Sequence, residues 1–556
     1  SVYMATVGNY TDKETFGKVS SRIRTTIETA FLSNNVLHVT TPREAYELAK
    51  RSVGTIELTG MPVYEPEWQG LPKGCNVLLF NDGAVVGRCA AARRILGDPE
   101  VSLDEYAAKL REAVYHTRYR NLYAAKAVIG LEKDFMVRAH LLIPEGHENL
   151  LYNWILNFQY INKIYSEMYK ESHAYLDGDI YILADPDWKH PDHPLGLALF
   201  DPEHNCAAIL GMRYFGELKK GTLTLAWGTA VRNGFASCHG GLKRYNLSGD
   251  RSFVAAVFGL SGSGKSTITH ARHENRYDIT VLHDDAFVIN LKERYSIALE
   301  PSYFDKVQDY PMDCEDNKFI VTLQNCGAVR KESGLVYAVT EDLRNGNGRA
   351  IKSKLWSPTR VDRIDEPIDA IFWLMKDPTI PPVLKITDPV LGAAMGATLA
   401  TRRTTAERLA PGVDPNALVF EPYANPFRTY PLGVDYGRFK TLLESGVDCY
   451  ILNTGDFMGK KVQPRHTLSI LESIVEGRVS FSPLGALSAV EVMEMEDFPL
   501  HLDDVQYKKE ITARIKDRVA FVKSRESERG GVDKLPREAL EALQRMTREL
   551  GYPGEV

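Results

Sequence analysis

A glycine-rich loop that ends in a lysine and a hydroxyl residue is the clearest chemical signal in this sequence. It reads Gly259-Leu-Ser-Gly-Ser-Gly264-Lys265-Ser266-Thr267. Glycines let backbone N–H groups turn inward around phosphate oxygens, where side chains would block the approach. Lys265 can supply positive charge at the β- and γ-phosphates, and the Ser266 hydroxyl can bind Mg²⁺ at a helix N-terminus. The pattern predicts a nucleoside triphosphate site built from Ser261, Gly262, Ser263, Gly264, Lys265, Ser266 and Thr267.

Two further groups of polar residues flank this loop in the sequence. Downstream, His283-Asp284-Asp285 follows the apolar run 279–282, and carboxylates at such a strand end could hold a divalent ion that bridges phosphates. The alternative is an ordinary surface turn. Upstream stand the paired lysines Lys219 and Lys220 and, further on, His239. Adjacent lysines are usually solvated and a lone histidine is usually structural, so neither is informative by itself.

The elements that must position these residues are a mixture of strands and helices. The run 253–258 is a short β-branched and aromatic segment that stops at the glycine loop, and a helix is expected from Lys265. Strand, loop and helix are the context that a phosphate loop requires. An amphipathic stretch lies at 154–169, and Leu540, Leu543, Met546 and Leu550 recur at helical spacing, which favours core packing over a partner-binding helix. Other strands are expected at 76–80, 180–184, 197–200 and 447–452.

Composition narrows the class of protein. The 556 residues are 44% hydrophobic and 25% charged, enough for a large core and two or three domains. A net charge of −6 offers no broad cationic field, so neither nucleic acid nor a membrane is an expected partner. Seven scattered cysteines without a C-x-x-C pair argue against a disulfide framework or structural zinc site. No apolar run reaches the roughly 20 residues that span a bilayer, so we expect a cytoplasmic protein.

Taken together and in order, these motifs resemble the ATP-type phosphoenolpyruvate carboxykinase family. Tyr214-Phe-Gly-Glu-Leu-Lys-Lys220 is similar to that family's Tyr-x-Gly-Glu-Met-Lys-Lys, and Ala236-Ser-Cys-His239 to its Ala-Ser-Met-His. The glycine loop is similar to the family's kinase loop. Three weaker matches are Asp284-Asp285, Asn347-Gly-Arg349 and Gly459-Lys-Lys461 with Thr467. The resemblance runs from about Leu79 to the C-terminus and does not include the first 70 or so residues.

The resemblance implies a two-lobed α/β fold with mixed α+β lobes. The expected boundaries are a substrate-binding lobe at 1–235 and a nucleotide-binding lobe at 236–556, which would carry the phosphate loop and a mobile lid. The implied reaction decarboxylates oxaloacetate and phosphorylates the enolate with ATP, reversibly, using Mn²⁺ and Mg²⁺. The expected partners are therefore small molecules; the sequence does not give the oligomeric state, and a monomer is compatible with it.

Residue by residue, the resemblance also implies roles for the side chains. Lys220, His239 and Asp285 would bind Mn²⁺, and Lys220 could do so only when deprotonated, with its pKa lowered by burial, by Lys219 and by the ion. The other implied roles are a substrate carboxylate ligand for Arg88, a place in the substrate site for Tyr214, a contact to the transferring phosphate for Arg349, and nucleotide contacts for Lys461 and Thr467.

Several positions depart from the family pattern, and they keep other functions open. The family's Arg-Ser-Pro-Lys-Asp-Lys is Arg88-Cys-Ala-Ala-Ala-Arg93 here, which removes charges beside the substrate arginine. Lys461 stands where the family has an arginine, and lysine cannot stack or form a bidentate pair in the same way. The alternatives are a kinase of the same fold acting on another small acid or using another phosphoryl donor, and a nucleotide-binding regulatory protein without catalysis.

Overall fold

The computed structural model describes residues 21–81, 89–311, 313–340, 348–402, 411–412, 414 and 417–552. Their contacts divide them into two units. The first contains the described residues up to Thr229 together with those of Ala298–Pro358. The second contains Ala230–Ile297 and the described residues from Thr359 onward. Both units combine sheets with helices, which confirms the predicted mixed α/β class.

The first unit is built on two sheets. The larger follows the strand order β1-β5-β6-β8-β10-β9-β4, with β7 beside β5. Its strands are β1 (Val36–Val39), β4 (Arg93–Ile95), β5 (Leu122–Glu132), β6 (Phe135–Pro144), β7 (Gln159–Tyr160), β8 (Ile180–Asp185), β9 (Leu197–Asp201) and β10 (Cys206–Leu210). The smaller sheet, in the order β17-β21-β18-β3-β2, contains β2 (Thr55–Pro62), β3 (Asn76–Phe80), β17 (Tyr303–Lys306), β18 (Ile320–Gln324) and β21 (Arg349–Lys352). A separate hairpin joins β19 (Gly327–Arg330) to β20 (Val336–Val339).

Helices pack against these sheets. They are α1 (Arg22–Phe31), α2 (Pro42–Lys50), α3 (Leu103–Thr117), α4 (Glu148–Asn157), α5 (Lys163–Glu171) and α6 (Phe215–Arg232), the last of which begins in this unit. The amphipathic stretch predicted at 154–169 is not one helix. It is divided between the end of α4, the short strand β7 and the start of α5, because the chain turns extended at Phe158 and Asn162 starts a new helix by accepting a hydrogen bond from the Tyr165 N–H.

The second unit is built on a sheet in the order β14-β12-β13-β23-β27-β24-β31-β30. Its strands are β12 (Gly241–Asn246), β13 (Ser252–Phe258), β14 (Asp278–His283), β23 (Ala370–Met375), β24 (Val383–Ile386), β27 (Asp448–Asn453), β30 (Ser482–Pro483) and β31 (Val490–Val492). β13, β23 and β27 run parallel at its centre. Central parallel strands are covered on both faces, so they appear in the sequence as continuous apolar runs. For this reason β13 and β27 could be predicted.

A second sheet in this unit carries residues of interest. It contains β11 (Phe235–His239), β15 (Ala286–Asn290), β16 (Ser296–Ala298) and β22 (Arg363–Ile364) in that order. Two short ladders pair β25 (Ala400–Thr401) with β26 (Val419–Phe420) and β28 (Asp456–Phe457) with β29 (Lys460–Lys461). The helices are α7 (Lys265–His270), α8 (Pro389–Ala397), α9 (Leu432–Glu444), α10 (Pro464–Val475), α11 (Val505–Ser524) and α12 (Arg537–Leu550).

Two observations bear on the organisation expected from the sequence. The expected boundary cuts the chain once, at 235/236, whereas the described residues of Ala298–Pro358 belong to the first unit. The reason is strand pairing: β18 lies beside β3, and β21 joins β17 to β18, so this segment completes the smaller sheet of the first unit. Within the described residues, no helix is long and apolar enough to cross a lipid bilayer.

Candidate functional site

The glycine loop joins β13 to α7 as the sequence predicted. Gly264 precedes the helix with φ +92°, a left-handed conformation that a side chain would strain. Gly259 is needed for space, because a Cβ there would lie 2.2 Å from the Ser263 Oγ. Lys265 and Ser266 therefore open the helix at the end of a buried strand, where N–H groups and the positive helix end favour an anion.

An acidic residue and a histidine stand beside Lys265. The Asp285 Oδ1 is 3.6 Å from the Lys265 Nζ and 3.0 Å from the His239 Nε2. Antiparallel pairing of β11 with β15 sets this arrangement, since His239 pairs with Ala286, the residue after Asp285. The three side chains are mostly buried, with 14%, 12% and 19% of the Lys265, His239 and Asp285 side chains exposed. Three residues selected from sequence motifs thus lie together within the second unit.

The orientation of His239 is set by a backbone carbonyl. Its Nδ1 lies 2.5 Å from the Ala424 O, so this nitrogen carries the proton and donates it. The Nε2 faces the Asp285 Oδ1 at 3.0 Å, and a neutral His239 protonated at Nδ1 would present its Nε2 lone pair to a metal bound there. Ala424 adopts φ +54°, an uncommon conformation for alanine, and neighbouring Tyr423 is held by a hydrogen bond from its hydroxyl to the Ala393 O. No sequence motif indicated this contact.

Asp284 has a structural partner of its own. It is buried, and its Oδ2 lies 2.9 Å from the His270 Nε2 at the end of α7. Burial alone would raise the pKa of Asp284, but the His270 hydrogen bond and the nearby positive charges of His270, His283 and Lys265 hold this pKa below its usual range. The pair connects the end of the loop's helix to the turn that carries Asp285. Sequence reasoning did not single out His270.

Two other predicted residues meet in the first unit. The Arg349 guanidinium, at the start of β21, lies 5.9 Å from the centre of the Tyr214 ring. Tyr214 is buried just before α6, and burial raises the pKa of its phenol even though the positive charge of Arg349 acts to lower it. Gln324 at the end of β18 fixes this segment, because its amide accepts from the Phe215 N–H and donates to the Arg213 O.

The two lysines at the start of α6 have different surroundings: Lys219 forms a buried ion pair, and Lys220 is the expected metal ligand. Lys219 is buried with its Nζ 3.3 Å from the Glu300 Oε1, and Asn157 donates to the other Glu300 oxygen at 2.6 Å. The sequence predicted that the positive charge of Lys219 would help to lower the pKa of Lys220. In the structure the Lys219 ammonium faces the Glu300 carboxylate, which compensates its charge. Lys220 itself is half-buried.

Comparison with known proteins bears directly on this arrangement. Residues 96–501 match the family model described as phosphoenolpyruvate carboxykinase. This chain belongs to that family. A relative named phosphoenolpyruvate carboxykinase (ATP), from Aeropyrum pernix, is 26% identical over 296 residues, which are 51% of this chain. The match spans 58% of that relative's length.

The remaining predicted residues of this phosphoenolpyruvate carboxykinase family member are less informative. Arg88 and Asn347 lie outside the described residues, and Arg88 also precedes the matched range. The Cys89 N–H, next to Arg88, donates to the Glu217 Oε1 at 2.8 Å, so the Gly-Glu of the Tyr-x-Gly-Glu motif anchors this segment. Lys461 is exposed on β29, and Thr467 is buried on α10.

Metal-binding side chains are the next feature of the site. In the part of the chain that the structure describes, no three histidine, cysteine, aspartate or glutamate side chains form a metal cluster. The ligand set expected for this carboxykinase family member contains two such residues, His239 and Asp285, and takes Lys220 as its third.

Replacing Gly216 with alanine tests the packing of Tyr214. A Cβ at this position would lie 2.3 Å from the Tyr214 Cε1 and 3.0 Å from its hydroxyl oxygen, so the ring must move. We expect the KM for the acid substrate to rise about tenfold in steady-state kinetics, while helix α6 is not destabilised because alanine favours helix. Gly437→Ala is the matched control, since a Cβ in the middle of α9 meets nothing within 4 Å. An unchanged KM in Gly216→Ala would contradict the expected place of Tyr214 in the substrate site.

Replacing Glu300 with alanine tests the buried ion pair. The change leaves the Lys219 ammonium buried without a carboxylate, which typically costs about 3–5 kcal/mol. We expect a lower midpoint in urea unfolding followed by circular dichroism. The double variant Lys219→Met/Glu300→Leu removes both charges and should recover most of the loss. If the Glu300→Ala variant were as stable as the unmodified protein, the Lys219–Glu300 pair would not contribute to stability.

Proposed function

We propose that this protein decarboxylates oxaloacetate and transfers the γ-phosphoryl group of ATP to the resulting enolate, giving phosphoenolpyruvate, CO₂ and ADP. The observation that carries the proposal is the grouping of Lys265, Asp285 and His239 at the glycine loop in a member of this family. A loop that only binds nucleotide has no evident use for a histidine whose Nε2 is directed at the same carboxylate as the loop lysine.

The nucleotide would bind at the loop of Ser261–Thr267. Loop N–H groups and the Lys265 ammonium would hold the β- and γ-phosphates, with the Ser266 hydroxyl available to Mg²⁺. Lys461 and Thr467 would contact the rest of the nucleotide. Lys265 carries its fixed charge close to the transferring group, which reduces the electrostatic barrier to phosphoryl transfer.

Mn²⁺ would be held by Lys220, His239 and Asp285. Imidazole and carboxylate suit this ion, and His239 already donates its Nδ1 proton to a carbonyl, the outer contact expected of a metal-binding histidine. Bound there, the ion supplies a Lewis acid that stabilises the enolate oxygen. Lys220 must lose its proton to take part, because an ammonium group has no lone pair to give to a metal.

The acid substrate would be bound by residues of the first unit. Arg88 would pair with a carboxylate, Tyr214 would line the site, and Arg349 would approach the phosphoryl group. Support comes from the contact between the Arg349 guanidinium and the Tyr214 ring, which keeps a permanent cation beside a buried phenol. These side chains would orient the substrate and limit its exposure to water before phosphorylation.

A second candidate is a kinase of the same fold with another acid substrate or another phosphoryl donor. It is favoured by the loss of the charged residues that follow the substrate arginine in the family pattern. Arg93 does not replace their charge at the substrate, because its side chain is directed elsewhere. The Arg93 guanidinium instead lies 4.6 Å from the centre of the Phe200 ring and donates to the Thr224 Oγ at 3.0 Å.

The seven free cysteines fit a reducing compartment, so we place the protein in the cytoplasm within this proposal.

One assay separates these functions. Purified protein is incubated with oxaloacetate, ATP, Mg²⁺ and Mn²⁺, and phosphoenolpyruvate and CO₂ are measured against the Lys265→Met variant. Equal amounts of both products support the proposal. Turnover only with another small acid, or only with another donor such as GTP or pyrophosphate, favours the second candidate. A protein that binds ATP by calorimetry but forms no product with any of them is a regulatory protein, and the proposal is then wrong.

A further inference from the structure

A buried lysine lies behind the phosphate loop and belongs to no motif. Lys243 is in the middle of β12 and is fully buried. Its Nζ donates to the Ile268 O at 2.7 Å and to the Ala271 O at 3.0 Å. These carbonyls are at the C-terminal end of α7, where a positive charge is favoured. Lys243 therefore holds one end of the helix whose other end carries Lys265 and Ser266.

The same ammonium is connected to a second element. The Lys243 Nζ lies 3.2 Å from the His273 Nε2, and the His273 Nδ1 lies 3.1 Å from the Glu472 Oε2. Glu472 is on α10, five residues after Thr467. His273 thus accepts from Lys243 and donates to Glu472, so a continuous chain of hydrogen bonds joins the end of α7 to α10.

This chain of contacts is a costly way to fill a core. Burial lowers the pKa of Lys243 to about 7, against the opposing negative charge of Glu472. An apolar side chain would fill the same volume without that penalty. What an apolar side chain cannot do is cap the α7 carbonyls and connect them to α10.

We propose that Lys243 is a positioning residue of the nucleotide site. It fixes α7 relative to α10 and so holds Lys265 and Ser266 at a set distance from Thr467. The inference rests on the proposed function only in taking nucleotide as the ligand of the loop. Lys243 has no direct contact with nucleotide in this proposal and acts through the two helices.

The test compares Lys243→Met with the unmodified full-length protein, using ATP with Mg²⁺ in calorimetry. We expect the Kd for ATP to rise about tenfold, with Mn²⁺ affinity unchanged, and thermal unfolding verifies that the variant is folded. Lys385→Met, on β24 of the same sheet, is the matched control because the Lys385 ammonium lies near the rings of Tyr450 and Phe481, away from the α7–α10 contacts described above. Its Kd for ATP should equal that of the unmodified protein.

A pH series adds a measurement that a purely structural role would not change. The Lys243 ammonium lies 3.2 Å from the His273 Nε2 and 4.6 Å from the centre of the Tyr245 ring. His273 in turn contacts Glu472, which pairs with Arg276, and the ring of Tyr277. Below pH 7 Lys243 is charged and donates to His273; above pH 7 it becomes neutral and that donation weakens. The ratio of the two Kd values, variant over unmodified, should therefore shrink between pH 6 and pH 8.5. Titration of ATP itself affects both proteins equally and cancels in the ratio.

The possible outcomes are distinct. A Lys243→Met variant with an unchanged Kd at every pH overturns the inference, whereas an unmodified protein that does not bind ATP overturns the proposed function instead. If Lys243→Met fails to fold, Glu472→Gln breaks the chain at a partly exposed residue on α10. That variant should raise the Kd for ATP about threefold, and an unchanged Kd in it would also overturn the inference.

Discussion

Replacing Lys265 with methionine is expected to lower kcat/KM for ATP by about 10²- to 10³-fold, or about 2.7–4 kcal/mol of transition-state stabilisation. The Lys265 ammonium follows the glycine loop at the N-terminus of α7, with Asp285 as its carboxylate neighbour. Charge builds up on the γ-phosphoryl oxygens as the bond to ADP breaks, and a lysine at this position opposes that charge. Methionine retains the length of the side chain and removes only the cation. Initial rates of phosphoenolpyruvate formation at varied ATP measure the effect.

The control for this variant is Lys523→Met, an exposed lysine at the end of α11. It removes the same charge from the protein as a whole, so a general effect of net charge would appear in both variants. Only Lys265→Met should lose activity. If both variants retained full activity, the glycine loop would not be the site of phosphoryl transfer.

The local elements around this loop were predictable from the sequence because their signals are local. An apolar run that stops at a glycine loop is sufficient to predict β13, and the strand predicted at 76–80 coincides with β3. Within the second unit, the motif residues Lys265, Asp285 and His239 also lie together. Their strand ends are adjacent because β11 pairs with β15. The resemblance to a known family implies this proximity, whereas hydrophobic patterns in the sequence do not.

What could not be predicted depends on pairing between distant parts of the chain. Lys219 looks like a solvated lysine until Glu300, 81 residues later, is placed 3.3 Å from it. The Ala424 carbonyl that orients His239 comes from a backbone atom, which no side-chain pattern records. Likewise, the assignment of 298–358 to the first unit follows from the pairing of β18 with β3. Hydrophobic periodicity reports which face of an element is buried but not which element covers it.

The proposed metal site gives the second large effect. Replacing Asp285 with asparagine preserves the shape of the side chain but removes the charge that faces both the His239 Nε2 and the Lys265 Nζ. We expect the Kd for Mn²⁺ to rise about 100-fold, since loss of a ligand exceeds the loss caused by removing an outer contact. Phosphoenolpyruvate formation should fall in parallel. Mn²⁺ binding is measured by electron paramagnetic resonance of the free ion.

ATP binding in the same variant should not be weakened. With Asp285 neutral, the Lys265 ammonium has no carboxylate competing with phosphate, so the Kd for ATP should stay equal or decrease. A variant that was merely misfolded would lose both ligands, so a loss of Mn²⁺ binding with retained ATP binding identifies a local effect. Asp278→Asn, at the exposed start of β14, the strand that precedes the turn with Asp285, is the matched control and should bind both ligands normally. His239→Ala should weaken Mn²⁺ binding while leaving ATP binding largely intact. If Mn²⁺ bound with unchanged affinity to both Asp285→Asn and His239→Ala, these residues would not be its ligands, and the role of the His239–Asp285 pair would be confined to positioning Lys265.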